Sequence, residues 1–173
     1  ELAEPPMAER ESSRAVAAFL AERGFDVTWP WDDVPTAFLA SAGRGKPVLA
    51  VLAEYDALPD CGPKPGDWGH GCGHNLLGAA AALAGVAAAA ALDEAGVAGR
   101  VLVYGTPAEE ALSGKVVLAA RDAFVGLDAE DQRVGLDAGN VAHVALALDL
   151  LEKLEGRHFE LHGDLGGFAG HAL

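Results

Sequence analysis

Three short segments between residues 53 and 110 carry the side chains that could do chemistry. They are the stretches 53–59, 69–75 and 105–110, and together they supply a thiol, imidazoles and four acidic groups. Each segment follows an apolar strand-like run or opens a helix, which is where an α/β sheet presents its ligand-binding edge. This combination of groups indicates a metal site with a carboxylate base.

Cys72 and His74 are metal-ligand candidates because they stand two positions apart around Gly73, which lets the backbone bend around an ion. Asn75 is a good N-cap and predicts that a helix begins there. The positive end of that helix dipole would favour a thiolate. The same pattern is also compatible with a buried cysteine beside a core histidine.

Glu109 and Glu110 are adjacent carboxylates that follow a predicted strand. Their side chains point in different directions, so one could bind a metal while the other faces a water molecule. Asp56 is a further acid at a strand end. Glu109 and Glu110 could instead form a solvent-exposed acidic turn, since acids favour helix N-termini. Asp56 could be an ordinary turn residue before Pro59.

The elements that must position these groups alternate between strand and helix patterns. This alternation predicts an α/β fold, a three-layer sandwich with a largely parallel or mixed sheet. The segment 43–46 is typical of a hairpin connection, and the apolar run 48–53 of a strand buried on both faces. Strands are predicted at 25–29, 36–41, 48–53 and 100–104, and helices at 9–23, 75–94, 111–123 and 140–155.

Composition narrows the class of protein. With 173 residues and 51% hydrophobic content, residues 1–173 are expected to form a single domain. A net charge of −14 argues against a nucleic-acid partner. The alanine-rich stretch 79–91 is too short for a membrane span, and no leader is predicted. Two cysteines, Cys61 and Cys72, make no disulfide framework and favour a reduced, cytoplasmic setting.

The residues and the spacing of the three segments resemble those of the amidohydrolase branch of the aminoacylase/carboxypeptidase-type zinc metallopeptidase superfamily. That branch includes aminobenzoyl-glutamate hydrolases, N-acyl-amino-acid hydrolases and related dipeptidases. The resemblance covers about residues 1–128, and the loop before Gly69 is most similar to the aminobenzoyl-glutamate hydrolases. It implies a zinc-exopeptidase-like fold and a site for two divalent ions, zinc or manganese. The implied substrate is a small N-acyl or N-aroyl amino acid or a dipeptide.

The resemblance also implies a role for each matching residue. Cys72 would be the bridging metal ligand, and His74 and Glu110 would be further ligands. Glu109 would be the general base that takes a proton from water and passes it to the leaving amine. Asp56 would lie behind the site and orient a ligand.

Two positions fit the family pattern differently. Glu54 stands where many relatives have a ligating histidine, but an acid is common there in this branch, so Glu54 is not assigned as a ligand. His171, near the end of the chain, is expected to be the last metal-binding histidine.

The chain departs from the family pattern after Asp128. Residues 130–132 replace an expected His-Pro pair, and 135–141 resemble a segment that the family carries beyond its lid and dimerisation domain. We therefore expect a catalytic-type domain that lacks the lid near 130–134, and with it the dimerisation region of a usually homodimeric family.

Three functions are compatible with these observations. The first is a two-metal amide hydrolase, and the second is a catalytically impaired metal-binding remnant of such an enzyme. The third is a thiol-dependent enzyme with Cys72 as nucleophile and His74 or His70 as base. Metal content and turnover distinguish the three.

Overall fold

The computed structural model describes residues 2–112 and 114–128. The helix predicted at 140–155, the departure at 130–134 and His171 lie outside these residues, and the single-domain expectation stays a prediction. The described elements, in chain order, are α1 (Arg10–Ala21), β1 (Asp26–Thr28), β2 (Phe38–Arg44), β3 (Val48–Ala53), α2 (His74–Glu94), β4 (Gly99–Gly105), α3 (Glu109–Leu112) and α4 (Gly114–Ala119).

The four described strands form one mixed sheet in the order β1-β2-β4-β3. The β1–β2 and β2–β4 pairs are antiparallel, and β3–β4 is parallel. The prediction of an α/β fold with a mixed sheet is confirmed. The hairpin predicted at 43–46 is wrong, because β4 lies between the two strands that this turn joins. Six of the seven residues of β4 are buried, as expected of an inner strand covered on both faces.

Both long helices pack on one face of the sheet. Leu20 of α1 and Ala81, Ala82 and Ala88 of α2 share a buried core with the inward residues of the strands. The small side chains of α2 let it approach closely: a Cβ added at Gly85 would lie 2.4 Å from Val103 Cγ2. The alanine-rich sequence therefore serves helix–sheet packing, as small side chains permit close backbone approach.

The opposite face is covered by Trp31 and the turns after α4. The Tyr104 ring packs against Phe124 with centroids 5.0 Å apart, and its hydroxyl donates to the Ala123 carbonyl at 2.6 Å. The helix predicted over 111–123 is wrong in extent. Two short helices replace it, and α4 ends at Ala119 before Asp122, whose φ of 55° is incompatible with a right-handed helix.

α2 is longer than the alanine-rich stretch 79–91 suggests. It runs for 21 residues and is long and apolar enough, by length and composition alone, to cross a membrane. The expectation based on the short length of residues 79–91 is therefore wrong, because the helix extends beyond them at both ends. Core helices meet the same criterion, and α2 packs against β3 and β4.

We predict that Gly85→Ala destabilises the fold, although alanine is the better helix former. The new methyl group would overlap Val103, and overpacking of this kind costs about 1–3 kcal/mol. Urea unfolding would measure the loss. In a Val103→Ala background the same change should cost clearly less; an equal cost in both backgrounds would contradict the packing explanation.

Candidate metal centre

Three elements deliver the candidate residues to one edge of the sheet. Because β3 and β4 are parallel, their carboxyl ends meet there, and Thr106 N donates to Ala53 O at 2.8 Å across them. The segment after β3 carries Asp56, and α3 after β4 carries Glu109 and Glu110. The predicted convergence of the three segments at one edge is confirmed.

α2 begins at His74 rather than Asn75. Gly73 occupies the N-cap position in the left-handed conformation, with φ 76°, which glycine adopts without steric cost. The prediction of Asn75 as N-cap is wrong for this reason: glycine provides the backbone turn, and no side-chain cap is present. The consequence is that His74 stands in the first helical position, at the sheet edge.

His74 and Asp56 form the central contact of the site. His74 Nδ1 lies 2.8 Å from Asp56 Oδ1, and both side chains are buried. Asp56 Oδ2 accepts a hydrogen bond from the Glu110 backbone N–H at 3.0 Å. Burial would raise the pKa of Asp56, but the hydrogen bonds from His74 and Glu110 lower it overall, so the carboxylate is ionised. An ionised Asp56 assigns the proton to Nδ1 and leaves Nε2 as the ligand atom.

His74 Nε2 faces three carboxylates. It lies 3.5 Å from Glu54 Oε2, 3.7 Å from Glu110 Oε1 and 3.9 Å from Glu109 Oε2. One ligand atom each from His74, Glu109 and Glu110 can be chosen so that all three lie within 4.8 Å of one another. Two ligands of a tetrahedral zinc ion lie about 3.4 Å apart. The spacing and the mixed imidazole and carboxylate donors therefore fit a divalent transition metal.

The electrostatics of the cluster also fit a cation. Burial raises the pKa of Glu109, and the negative charge of Glu54 raises it further. Burial lowers the pKa of His74, but Asp56, Glu54 and Glu110 outweigh that effect and raise it overall. Neighbouring carboxylates contribute to the rise in both pKa values, and a bound metal ion would relieve this excess of negative charge.

Cys72 is exposed and lies outside the group of His74, Glu109 and Glu110. Its hydrogen bond with Glu110, together with burial and the charges of both glutamates, raises the pKa of the thiol to about 11. A nucleophilic cysteine needs a lowered pKa, so this environment does not favour the thiol-dependent interpretation. The bridging-ligand role of Cys72 stays a prediction.

Lys115 is a site residue that the sequence analysis did not identify. Its ammonium group donates to Glu54 Oε1, and the Glu54 side chain is buried. Lys115 is the single cation in residues 101–120, and it follows two glutamates. Four acids at one edge of a sheet favour a nearby positive charge. This need for a cation is the sequence signal that points to Lys115.

An open cavity of about 420 Å³ adjoins His74 on the side of α1. Leu2, Tyr55, His70 and Asn75 are among the residues that line it. His70 Nε2 contacts the Leu2 carbonyl at 2.5 Å, so this imidazole is engaged with the N-terminal segment. The cavity has the size of a small-molecule site.

No family model matches the chain. Over 127 residues it is 43% identical to a subunit of the p-aminobenzoyl-glutamate hydrolase of Escherichia coli, and over 136 residues 36% identical to the human Xaa-Arg dipeptidase. These alignments cover 68% and 69% of this chain but 26% and 30% of the relatives. The chain thus spans about a quarter to a third of the length of these curated relatives.

Solved structures agree with the fold. A dinuclear metal-binding peptidase of the M20 family from Bacillus subtilis superposes with a TM-score of 0.59 at 24% identity, covering 73% of this chain and 37% of that one. A protein from methicillin-resistant Staphylococcus aureus gives a TM-score of 0.56 at 25% identity, covering 73% and 35%. The chain is thus related in sequence to an aminobenzoyl-glutamate hydrolase subunit and to a dipeptidase, as its three segments indicated.

We predict that Asp56→Asn weakens metal binding by about 10–100-fold. The neutral amide cannot accept hydrogen bonds from both His74 Nδ1 and the Glu110 backbone N–H, as the carboxylate does. Competition with a zinc indicator dye would measure the affinity. Asp60→Asn is the matched control, since Asp60 accepts a hydrogen bond from Gly66 N in the neighbouring loop. Equal affinities for the two variants would exclude the orienting role of Asp56.

We also predict that Cys72→Ser weakens zinc binding much more than Cys61→Ser. Both thiols are free and exposed, but only Cys72 lies beside Glu110. The same dye competition applies to both variants. Indistinguishable affinities would remove Cys72 from the ligand set.

Proposed function

We propose that this chain is the catalytic part of a metal-dependent amide hydrolase. Its substrate would be an N-acyl or N-aroyl amino acid of the aminobenzoyl-glutamate type, or a dipeptide, from which it releases an amino acid. The observation that carries the proposal is the convergence of Glu109 and Glu110 on His74 Nε2, with Nδ1 held by Asp56. The names of the two similar relatives, a hydrolase and a dipeptidase, support the same reaction class.

His74 and Glu110 would hold the metal, zinc or manganese, together with Cys72. His171 is the further ligand proposed from outside the described residues. When bound, the metal supplies Lewis-acid polarisation of the scissile carbonyl and lowers the pKa of water. Asp56 keeps the imidazole in the tautomer that offers Nε2, and it holds the backbone of Glu110 at the same time.

Glu109 would act as the general base. Its side chain is 36% exposed, more than the 21% of Glu110, so it can meet water and substrate. Burial and the charge of Glu54 raise the pKa of Glu109, which makes it a better proton acceptor than an ordinary glutamate. It would take a proton from the attacking water and deliver it to the amide nitrogen, which then leaves as an amine.

A small substrate would lie at this edge of the sheet, with its scissile amide near Glu109. We propose a cytoplasmic location on the basis of the free thiols Cys61 and Cys72. The net charge of −14 supports a small-molecule substrate rather than a nucleic acid.

The alternative is a metal-binding domain without turnover. The exposed position of Cys72, outside the group around His74, favours it, as does the replacement of the expected His-Pro pair at 130–132. In that case the chain binds zinc but does not hydrolyse aminobenzoyl-glutamate, and a relative carrying the complete ligand set does.

We predict that Glu109→Gln lowers kcat for aminobenzoyl-glutamate by about 10²–10⁴-fold, because the amide cannot accept the proton from water. Release of aminobenzoate, with zinc or manganese added, would measure the rate, and dye competition would show that metal is still bound. Glu94→Gln, at the far end of α2, is the control. Wild-type metal binding without turnover would select the alternative, and undiminished turnover in Glu109→Gln would exclude Glu109 as the base.

A further inference from the structure

Glu9 is a fully buried carboxylate that does not serve its own helix. It stands at the N-cap position of α1, yet its side chain makes no capping hydrogen bond there. Glu9 Oε1 accepts the backbone N–H of Ala108 at 2.8 Å, and Oε2 accepts the hydroxyl of Thr36 at 2.9 Å. Glu9 and Ala108 are 99 residues apart in sequence. The carboxylate therefore joins the start of the chain to the residue that precedes Glu109.

Ala108 has an unusual backbone conformation. Its φ is 56°, in the left-handed region that residues with a Cβ rarely adopt, and it is completely buried. Such a conformation persists only where the surroundings impose it. The hydrogen bond to Glu9 is one of the contacts that impose it, and the Gly114 N–H, which donates to the Ala108 carbonyl at 3.3 Å, is another.

A second carboxylate holds the other side of Glu109. Asp56 accepts the Glu110 N–H at 3.0 Å, as Glu9 accepts that of Ala108. Thr36 links the two sides, because its hydroxyl donates to Glu9 and its carbonyl accepts the hydroxyl of Tyr55, the neighbour of Asp56. The backbone on both sides of Glu109 is thus fixed by buried acids from distant parts of the chain.

We infer that Glu9 is a positioning residue for Glu109 and Glu110. It touches neither substrate nor metal and acts through the Ala108 backbone, which sets the directions of the two following side chains. This inference rests on the proposed function, since it concerns the base and the ligand of that site.

The test compares Glu9→Ala and Glu9→Gln with the wild-type chain. Glu9→Ala leaves the Ala108 N–H without its acceptor, and zinc affinity should fall by about 10–100-fold, as for other residues that orient ligands. Glu9→Gln should stay within about fivefold of the wild type, since its amide oxygen still accepts from Ala108 and its NH₂ group can donate to Thr36. Hydrogen exchange of the 106–112 segment should accelerate in Glu9→Ala only.

Glu4→Ala is the matched control. Glu4 is a glutamate of the same N-terminal segment that also accepts backbone N–H groups, those of Glu11 and Ser12. Its loss should lower stability without changing zinc affinity or exchange at 106–112. If Glu9→Ala does not fold by circular dichroism, Glu9→Asp replaces it, because the shorter carboxylate leaves the Ala108 N–H unpaired.

These outcomes distinguish the positioning role of Glu9 from the proposed hydrolase function. Unchanged zinc affinity in Glu9→Ala or Glu9→Asp, or an equal loss in Glu4→Ala, overturns the positioning role while the proposed function stands. A wild-type chain that binds neither zinc nor manganese overturns the proposed function, and the inference with it.

Discussion

The site depends on one buried hydrogen bond, from His74 Nδ1 to Asp56 Oδ1. It joins the end of β3 to the start of α2, and the second oxygen of Asp56 extends the link to the backbone of α3 through Glu110. A buried carboxylate that loses its donors carries a desolvation penalty of several kcal/mol, so the three segments stabilise one another through this side chain. The same bond sets the imidazole tautomer. Structure and chemistry thus share one contact, which explains why an acid without direct access to substrate is necessary at this strand end.

Negative charge is the second constraint on this edge of the sheet. Glu54, Glu109 and Glu110 all approach His74 Nε2, and Asp56 lies on the other side of the ring. Lys115 compensates the charge of Glu54, the most deeply buried of the three glutamates, and thereby leaves the remaining carboxylates directed at the imidazole. Like charges at such short range raise one another's pKa unless a cation lies between them. Lys115 pairs with Glu54, and its charge also opposes the rise in the pKa of Glu109; a divalent ion would compensate the remaining negative charge.

Local sequence patterns predicted what is decided locally. The apolar runs of β3 and β4 and the long helix α2 were found within a few residues of their bounds, because burial on both faces and helix length leave a direct mark on composition. Local sequence could not show that the turn at 43–46 is not a hairpin, because β4 lies between the two strands that this turn joins. In the sequence, β4 follows only after a helix of 21 residues. Glu9 and Lys115 were missed for the same reason: their partners are 99 and 61 residues away. Among the residues that hold the motif in place, Asp56 was recognised through the family resemblance, whereas Glu9 and Lys115 were not.

Two adjacent glutamates acquire different roles from the backbone that carries them. Successive residues of a helix point about 100° apart, so Glu109 and Glu110 at the start of α3 approach His74 Nε2 from different directions. Asp56 fixes the Glu110 N–H, and the side chain of Glu110 is the less exposed of the two and the closer to His74 Nε2. Glu109, turned further toward solvent, keeps access to water. The strained Ala108 sets the angle at which the pair enters the site, and Gly114 permits the close approach behind it, since a Cβ there would lie 1.9 Å from the Pro107 carbonyl. The difference between the proposed ligand and the proposed base would therefore originate in backbone geometry, because the two side chains are chemically identical.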